Sequence, residues 1–579
     1  WLPVLSYADD LSSSENELHL PLVQCNHCNA TAWLTYIEEG ASTAGMDLKV
    51  VYQRWFSHDP ESHVFFPLID QENTLECEGL ERYFCLNCGY FQNSHGNCIS
   101  CNSKDLQRIF QPNLRQTVRS NGVNRVVTKH HCPICAMKDS LMIFGARSVT
   151  LSSIAIHHLY STPWNDDRKL IAFSDSVQDA AHRAGYFSSR TWINLVRMAM
   201  VQAMPDDNIS LVDFYQRFPL FWRDPSLNKN AMSTEQFVAE FIAPNMLWYQ
   251  DYIDLTQKEG YRISDQTLLY KDICKRLQWE VFAEFGYRSR IGRSLENTGS
   301  AALGIFVEPI DRSVMKLIQP FREKEGLMDL TEQMLRDLLV GILFHMKQQG
   351  GIDQQFVSPY FENGKSFLLN RITFLPDFAQ SSRSPVYLTN ASSHSEFELL
   401  ISNNTKTWAE GWVHRVLGVD TLLPQGIEKI LLPQVMEVLV EEGLVVSHEI
   451  RETLVWALNP SQLYLSRKVF VFETENARDR FHAPEQMREL IEKMPSLQLN
   501  DTGHYKVAKL SESWLTNIYD AGHIKRINSE EHTGLLLRDQ RQKIERDFIH
   551  GDKAWSCNLL SATPTLEMGI DIGDLSSLL

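Results

Sequence analysis

The sequence predicts an α/β protein with a metal-binding module near its N-terminus, and three observations support this fold class. Arg168 to Phe187 (RKLIAFSDSVQDAAHRAGYF) has the pattern of a short apolar strand, a Ser/Asp turn and a helix. Ile524 to Leu575 repeats this order and adds a second apolar strand. Four Cys-x-x-Cys pairs lie before residue 136. Strands that alternate with helices are typical of a parallel sheet.

Length, charge and hydropathy limit the class of protein. A chain of 579 residues is long enough for three or four domains. Its net charge of −17 argues against general adhesion to nucleic acid, which needs many Lys or Arg contacts with phosphate, but allows a local basic channel. No apolar run approaches the roughly 20 residues of a membrane-spanning helix. We therefore expect a cytoplasmic protein with no membrane partner.

The cysteines predict two structural zinc sites. Nine of the eleven cysteines precede residue 136, and eight of these form Cys-x-x-Cys pairs. Two thiolates three positions apart can bind one ion from a tight turn, and two such pairs complete a tetrahedral Zn²⁺ site. The regular pairing and a reducing cytosol disfavour disulfides. The predicted ligands are Cys25, Cys28, Cys85, Cys88, Cys98, Cys101, Cys132 and Cys135.

The spacing leaves two pairings of these motifs open. In the nested pairing, Cys85 and Cys88 share an ion with Cys98 and Cys101, and the two outer motifs form the second site. In the sequential pairing, the first motif joins the second and the third joins the fourth. Only nine residues separate the two inner motifs, which favours the nested pairing. Gly89 can adopt the positive φ that such a turn often needs.

The turn after the predicted strand Leu170 to Phe173 is a candidate ligand site. Open parallel sheets bind ligands at the carboxyl ends of their strands. Asp175 or Ser176 can cap the following helix, whose unpaired N–H groups attract phosphate. This segment therefore predicts an anion site next to a helix N-terminus.

The C-terminal segment predicts a second turn of the same kind. We expect a turn at Glu531 to Gly534, followed by an amphipathic helix in which Leu537, Ile544 and Phe548 face the core. A buried strand then leads into the Thr-rich loop of SATPTLEMGIDIGDL. The two segments together suggest one domain that a long intervening sequence divides.

Two of these loops resemble motifs of a helicase family. FSDSVQDA resembles motif IV, and SATPTLEMGIDIGDL resembles motif V, of the second RecA-like domain of superfamily 2 helicases. The similarity is to the large Lhr-like and MrfA-like helicases that often carry a zinc module, and to the large helicase of bacterial antiphage systems such as Druantia. It implies an ATP-dependent DNA helicase or translocase of antiphage defence or DNA repair. Its implied partners are a single DNA strand and a defence-system protein, with ATP and Mg²⁺ as cofactors of the full-length protein.

The resemblance also implies roles for individual residues. Thr563 would contact a nucleic-acid phosphate, and Asp571 would face the nucleotide ribose across an inter-domain cleft. Val177 stands where the family has Arg, which removes an expected guanidinium contact of motif IV. The implied nucleic-acid-binding residues are Ser174, Asp175, His532, Thr563 and Thr565, and the implied ATP-binding residues are Gly569 and Asp571.

We expect four segments along the chain. The third is mainly helical, and its stretch from Leu431 to Leu465 is similar to a winged helix, with a turn at Gly443 between a helix and paired strands. Because the chain ends inside the motif V domain, we expect it to be an internal part of a larger motor. The segments are a zinc-binding module (1–145), the first part of RecA-like domain 2 (146–195), the insertion (196–505) and the remainder of RecA-like domain 2 (506–579).

No catalytic residue is predicted within this sequence. Asn363 to Ser366 contains the GKS of a P-loop, but Pro359 replaces the required earlier Gly. Arg288 to Arg293 mimics an arginine-finger motif but precedes motif V, and no Asp-Glu dipeptide exists to hold magnesium. The chain alone is therefore expected not to hydrolyse ATP. The alternative from another class is a non-enzymatic zinc-ribbon scaffold that recruits partners in a defence or repair complex.

Overall fold

The structure is a computed structural model in which the chain forms two compact units, Trp1–Ala146 and Arg147–Leu579. Within the part of the chain that it describes, no helix combines the length and the apolar character needed to cross a membrane. The described residues are 19–25, 30–68, 79–120, 123–133, 139–144, 148–162, 168–174, 176–369, 372, 374–378, 383–391, 397–403, 406–418, 423–475, 479–499, 501–509, 514–563 and 577–578.

The N-terminal unit is built on an antiparallel sheet. Its elements are β1 (Leu22–Cys25), β2 (Thr31–Tyr36), α1 (Leu48–Phe56), β3 (Ser62–Pro67), β4 (Gly79–Cys85), β5 (Phe91–Gln92), β6 (Leu106–Pro112), β7 (Arg115–Ser120), β8 (Val123–Thr128) and β9 (Leu141–Phe144). Seven strands lie in the order β5-β4-β6-β3-β2-β1-β9, while β7 and β8 pair only with each other.

The central strand β3 is buried on both faces because its side chains alternate between two hydrophobic clusters. Val64 and Phe66 pack with Trp55 of α1 in one cluster. Phe65 packs with Phe84 of β4 in the other. This alternation follows from the period of two in a strand. The aromatic side chains thus fill both sides of the sheet that carries the cysteine motifs.

The C-terminal unit contains a parallel sheet and a large helical region. Its helices are α2 (Ser148–Ser161), α3 (Val177–Ala203), α4 (Leu211–Phe221), α5 (Thr234–Phe241), α6 (Gln250–Gln257), α7 (Leu268–Phe285), α8 (Val307–Arg322), α9 (Glu332–Gln349), α10 (Ser358–Asn363), α11 (Lys365–Leu369), α12 (Trp408–Leu417), α13 (Glu428–Glu441), α14 (Arg488–Ile491), α15 (Trp514–Ala521) and α16 (Arg538–His550). Its strands are β10 (Leu170–Phe173), β11 (Ile209–Ser210), β12 (Ala302–Ile305), β13 (Leu388–Thr389), β14 (Glu398–Leu399), β15 (Val445–Ile450), β16 (Thr453–Leu458), β17 (Leu463–Ser466), β18 (Val469–Thr474), β19 (Arg480–Pro484), β20 (Tyr505–Ala508), β21 (Ser529–His532), β22 (Leu559–Ala562) and β23 (Ser577–Leu578).

The parallel sheet joins two segments that are far apart in sequence. Its strand order is β21-β22-β10-β23, and every adjacent pair is parallel. Leu170 of β10 packs with Phe187 of α3 on one face, whereas Ile171 packs with Phe548 of α16 on the other. Helices therefore cover both faces of the sheet. The predicted strand Leu170 to Phe173 and the helix that follows it are confirmed.

Two details of the predicted C-terminal segment are wrong. Strand β21 continues through His532, so the turn begins later than Glu531. Leu537 is 71% exposed and occupies the N-cap of α16 in an extended conformation. The helical period does not apply before the first turn, so it could not direct Leu537 inward. Phe548 is fully buried, and Ile544 packs against the same cluster, as predicted.

The region between α3 and β21 combines helices with three small sheets. The strand orders are β11-β17-β12, β14-β13-β16-β15 and β19-β18-β20. Helix α13 leads through Gly443, at φ 73°, into the hairpin β15–β16, which gives the predicted order of helix, turn and paired strands. One continuous cluster of buried residues runs from Trp192 to Tyr519. The helices and small sheets thus share a single core.

Candidate functional site

Four cysteines of the N-terminal unit form a cluster that can hold a zinc ion. The sulfur atoms of Cys85, Cys88, Cys98 and Cys101 all lie within 4.8 Å of one another. The Sγ atoms of Cys85 and Cys101 are 3.5 Å apart, as are those of Cys88 and Cys98. Tetrahedral coordination with bonds of about 2.3 Å places sulfur atoms about 3.8 Å apart. The cluster therefore matches a four-thiolate zinc site.

Two similar turns present the four thiols. The N–H of Gly89 donates to the carbonyl oxygen of Cys85 at 2.9 Å, and the N–H of Asn102 donates to that of Cys98 at 2.8 Å. Gly89 has φ 71° and Asn102 has φ 59°. Gly and Asn are the residues that adopt this left-handed conformation at least cost. The positive φ expected at Gly89 is confirmed, and Asn102 occupies the equivalent position after the second motif.

The surroundings of the cluster favour one thiolate before a metal binds. The backbone N–H of Ser103 lowers the pKa of the exposed Cys101 thiol to about 6. Burial raises the pKa of Cys88 to about 12. A bound cation would stabilise the thiolate forms, because metal binding couples to loss of the thiol protons. The Asn87 amide nitrogen lies 3.8 Å from the Cys101 sulfur and can donate to it.

The cluster bears on the pairing of the inner motifs. It favours the nested pairing over the sequential one, because the sulfur atoms of the two inner motifs lie in one cluster. Cys25 and Cys132 are both buried and pack in the same hydrophobic cluster, but Cys28 and Cys135 lie outside the described residues. Among the residues that the structure describes, no second group of three or more metal-binding side chains occurs.

A second candidate site lies at the carboxyl edge of the parallel sheet. Ser174, His532 and Thr563 are at the carboxyl ends of β10, β21 and β22, three adjacent strands. The N–H of Ser174 donates to the carbonyl oxygen of Ala562 at 2.8 Å, and the N–H of Thr563 donates to that of His532 at 3.3 Å. Predicted site residues that are almost 400 positions apart in sequence are therefore neighbours at this edge.

The side chains at this edge are buried. Ser174, His532 and Thr563 are 3%, 2% and 4% exposed. The Nε2 atom of His532 lies 2.7 Å from a carboxylate oxygen of Glu545 in α16. Ser176 accepts a hydrogen bond from the N–H of Asp179 and caps α3, as predicted. The remaining predicted site residues, Asp175, Thr565, Gly569 and Asp571, lie outside the described residues.

The rejected sequence motifs have structural roles or unsuitable surroundings. Lys365 begins α11 directly after α10, with no strand before it, which agrees with the rejection of a P-loop. Arg290 forms a buried ion pair with Asp479 at 2.5 Å, and Arg288 pairs with Glu280 at 3.0 Å. Sequence reasoning missed Asp479 because nothing in the local pattern links it to Arg290.

Fold and sites together define a mixed α/β protein. Its N-terminal unit carries a four-cysteine cluster that can bind zinc. Its C-terminal unit carries a parallel sheet with buried polar groups at the carboxyl edge. Comparison with protein-family models, with curated proteins and with solved structures gives no match in any of the three.

Proposed function

We propose that the C-terminal unit supplies the second RecA-like domain of an ATP-dependent superfamily 2 DNA helicase or translocase. The observation that carries this proposal is the meeting of Ser174, His532 and Thr563 at the carboxyl edge of three adjacent parallel strands. The loops with the resemblance to motifs IV and V begin at two of these positions. Open α/β sheets bind their ligands at this edge.

Polar groups at the edge suit a phosphate of the DNA backbone. The side-chain oxygens of Ser174 and Thr533 and the Nδ1 atom of His532 are buried and have no hydrogen-bond partner among the described residues. A buried polar atom without a partner costs about 1–3 kcal/mol. Phosphate oxygens would accept hydrogen bonds from the two hydroxyl groups. The N-terminus of α3, directly after this edge, adds a favourable field for an anion.

In this proposal the chain holds the DNA strand and one side of the nucleotide. Thr563 contacts a strand phosphate, and Gly569 and Asp571 approach the ATP ribose from the motif V loop. A first RecA-like domain supplies the P-loop Lys and the acid that holds Mg²⁺, because phosphoryl transfer needs both around one phosphate. Opening and closing of the two domains would then move the strand.

The proposed zinc content is two structural ions. Cys85, Cys88, Cys98 and Cys101 would hold the first, and their geometry supports this assignment. The two outer motifs would hold the second, which the shared burial of Cys25 and Cys132 supports. Four thiolates leave no open coordination position, so these ions stabilise the fold rather than activate water.

The contact of Thr563 with DNA is tested by Thr563→Val, which keeps the shape of the side chain and removes the hydroxyl. We expect the affinity for a fluorescent single-stranded oligonucleotide to fall roughly tenfold to a hundredfold, the value of one hydrogen bond to a charged group. Fluorescence anisotropy measures the affinity. The matched control is Thr191→Val, because Thr191 is equally buried but bonds the carbonyl oxygen of Phe187 in its own helix.

Two results would contradict the proposal. If the Thr563→Val variant and the wild type bound single-stranded DNA with equal affinity, Thr563 would not contact the strand. Absence of DNA-stimulated ATP hydrolysis by the complete gene product would exclude the motor and favour the scaffold. Thermal unfolding of both variants shows whether the fold is retained.

A further inference from the structure

The hairpin β7–β8 is a basic arm within a strongly acidic chain. Residues 106–138 contain six Lys or Arg and no Asp or Glu, although the whole chain has a net charge of −17. Three of the six, Arg115, Arg119 and Arg125, belong to the hairpin, and Lys129 follows β8 directly; the other two are Arg108 in β6 and Lys138, which lies outside the described residues. Positive charge is thus concentrated in this stretch, while the rest of the chain is acidic. Clusters of this sign mark surfaces that bind polyanions.

The arm is exposed on both of its faces. Gln116 and Thr117 are adjacent in β7 and both exposed, and Asn124, Arg125 and Val126 are exposed in β8. Adjacent residues of a strand point to opposite faces, so neither face is covered by the described part of the unit. An isolated two-stranded hairpin is only marginally stable in water. Binding to a partner would therefore stabilise such an arm.

Among the described residues, the hydrogen bonds that anchor the arm lie at its base. The N–H of Thr128 donates to the carbonyl oxygen of His58 at 2.9 Å, and the N–H of Lys129 donates to that of Leu114 at 2.9 Å. The guanidinium of Arg115 donates to the carbonyl oxygen of Pro60 at 2.8 Å. The position of the arm on the unit is thus fixed while its outer part faces solvent.

Two cations, Arg125 on the arm and Lys129 at its base, are available to a ligand. The side chains of Arg125 and Lys129 make no hydrogen bond or ion pair with any described residue. By contrast, Arg108 of the internal strand β6 is paired with Glu81 at 2.6 Å. Burying an unpaired cation against an apolar protein surface would be costly, whereas phosphate supplies the counter-charge.

We infer that this arm binds the major groove of duplex DNA. A two-stranded antiparallel ribbon fits this groove, which is about 12 Å wide, and a six-residue strand spans about 20 Å along it. Arg125 and Lys129 then contact the phosphates at the groove edge. Gln116 lies on the same face of the arm as Arg125, because Val118 pairs with Arg125, and its amide can hydrogen-bond to base edges. This interface goes beyond the strand contact proposed for the parallel sheet and does not depend on it.

The test is the double charge reversal Arg125→Glu/Lys129→Glu in the full chain. We expect the affinity for a 20-base-pair DNA duplex, measured by fluorescence anisotropy near 0.1 M salt, to fall at least tenfold. The slope of log affinity against log salt should decrease by about 2, one for each lost phosphate contact. The matched control is Lys49→Glu/Lys229→Glu, which makes the same charge change at two exposed lysines outside the arm.

The duplex-binding experiment has three outcomes. A fall in duplex affinity for the arm variant, with the control unchanged, supports the interface. Equal affinity of the arm variant and the control overturns it. Arm-dependent binding of labelled polyglutamate as tight as that of DNA would assign the arm to an acidic protein instead. The Thr563→Val variant separates the two proposals. It should lower the affinity for single-stranded DNA and leave the arm-dependent binding of duplex DNA unchanged.

Discussion

The cysteine cluster of the N-terminal unit and the parallel sheet of the C-terminal unit are assembled in opposite ways. The four clustered thiols lie between residues 85 and 101, on two tight turns of neighbouring chain. The adjacent strands β10 and β22 come from residues 170–173 and 559–562, with a large helical core between them. Local sequence therefore specifies the cluster, whereas long-range packing specifies the sheet. The stability of the cysteine cluster should therefore depend on a bound ion, and that of the parallel sheet on buried apolar side chains.

The largest expected effect is the loss of metal from the cluster. Cys98→Ser removes one of four ligands, and structural zinc sites contribute roughly 10–16 kcal/mol of apparent binding free energy at pH 7. This is as large as the whole net stability of a typical domain, about 5–15 kcal/mol. We expect one zinc fewer per chain by elemental analysis, and rapid hydrogen exchange in β4 and β6 with little change in the parallel sheet.

The control for this change is Cys274→Ser, which alters a cysteine of α7 that lies outside the four-thiol cluster. It should leave the zinc content unchanged. If Cys98→Ser retained the zinc content of the wild type, the four cysteines would not be the ligands. The N-terminal unit would then not depend on an ion in the way that distinguishes it from the C-terminal unit.

The next largest effect concerns the packing of the parallel sheet. Phe548 of α16 is fully buried against Ile171 and Leu560. We expect Phe548→Ala to lower the free energy of unfolding of the C-terminal unit by about 3–5 kcal/mol, because it leaves a cavity. Hydrogen exchange measures the opening of β10 and β22, while the exchange of the cysteine unit should not change.

A matched control comes from the neighbouring surface. Leu537→Ala truncates a side chain at the N-cap of the same helix that is 71% exposed. It should change the free energy of unfolding by less than about 0.5 kcal/mol. An equally large loss in both variants would show that α16 is not held to the sheet by Phe548.

The smallest effect concerns the cap at the sheet edge. The Ser176 hydroxyl oxygen accepts a hydrogen bond from the N–H of Asp179 at 3.1 Å. Ser176→Ala should cost about 1 kcal/mol, measured by urea unfolding. Ser189→Ala, at an exposed position inside the same helix, should cost nothing because Ala has the higher helix propensity. A stable Ser176→Ala variant would mean that the sheet alone fixes the start of α3.

Much of the local structure could be predicted from the sequence. The strand Leu170–Phe173 follows from its apolar run, and the cap at Ser176 follows from the type of residue at a helix start. The shared cluster of the two inner cysteine motifs follows from their short separation. The basic arm was detectable as an acid-free stretch, but its cations are spread along the chain and do not form a run. The position of Leu537 could not be predicted, because periodicity does not define the first residue of a helix.

The sequence by itself determined the cysteine turns, the apolar strands and the separation of charge along the chain, because each depends on residues within about one turn or strand of one another. Only the tertiary structure decided that Ser174, His532 and Thr563 share one sheet edge, that Arg290 pairs with Asp479, and that both faces of the β7–β8 arm are exposed. These features depend on contacts between residues that are distant in sequence, and such contacts form only when the whole core packs.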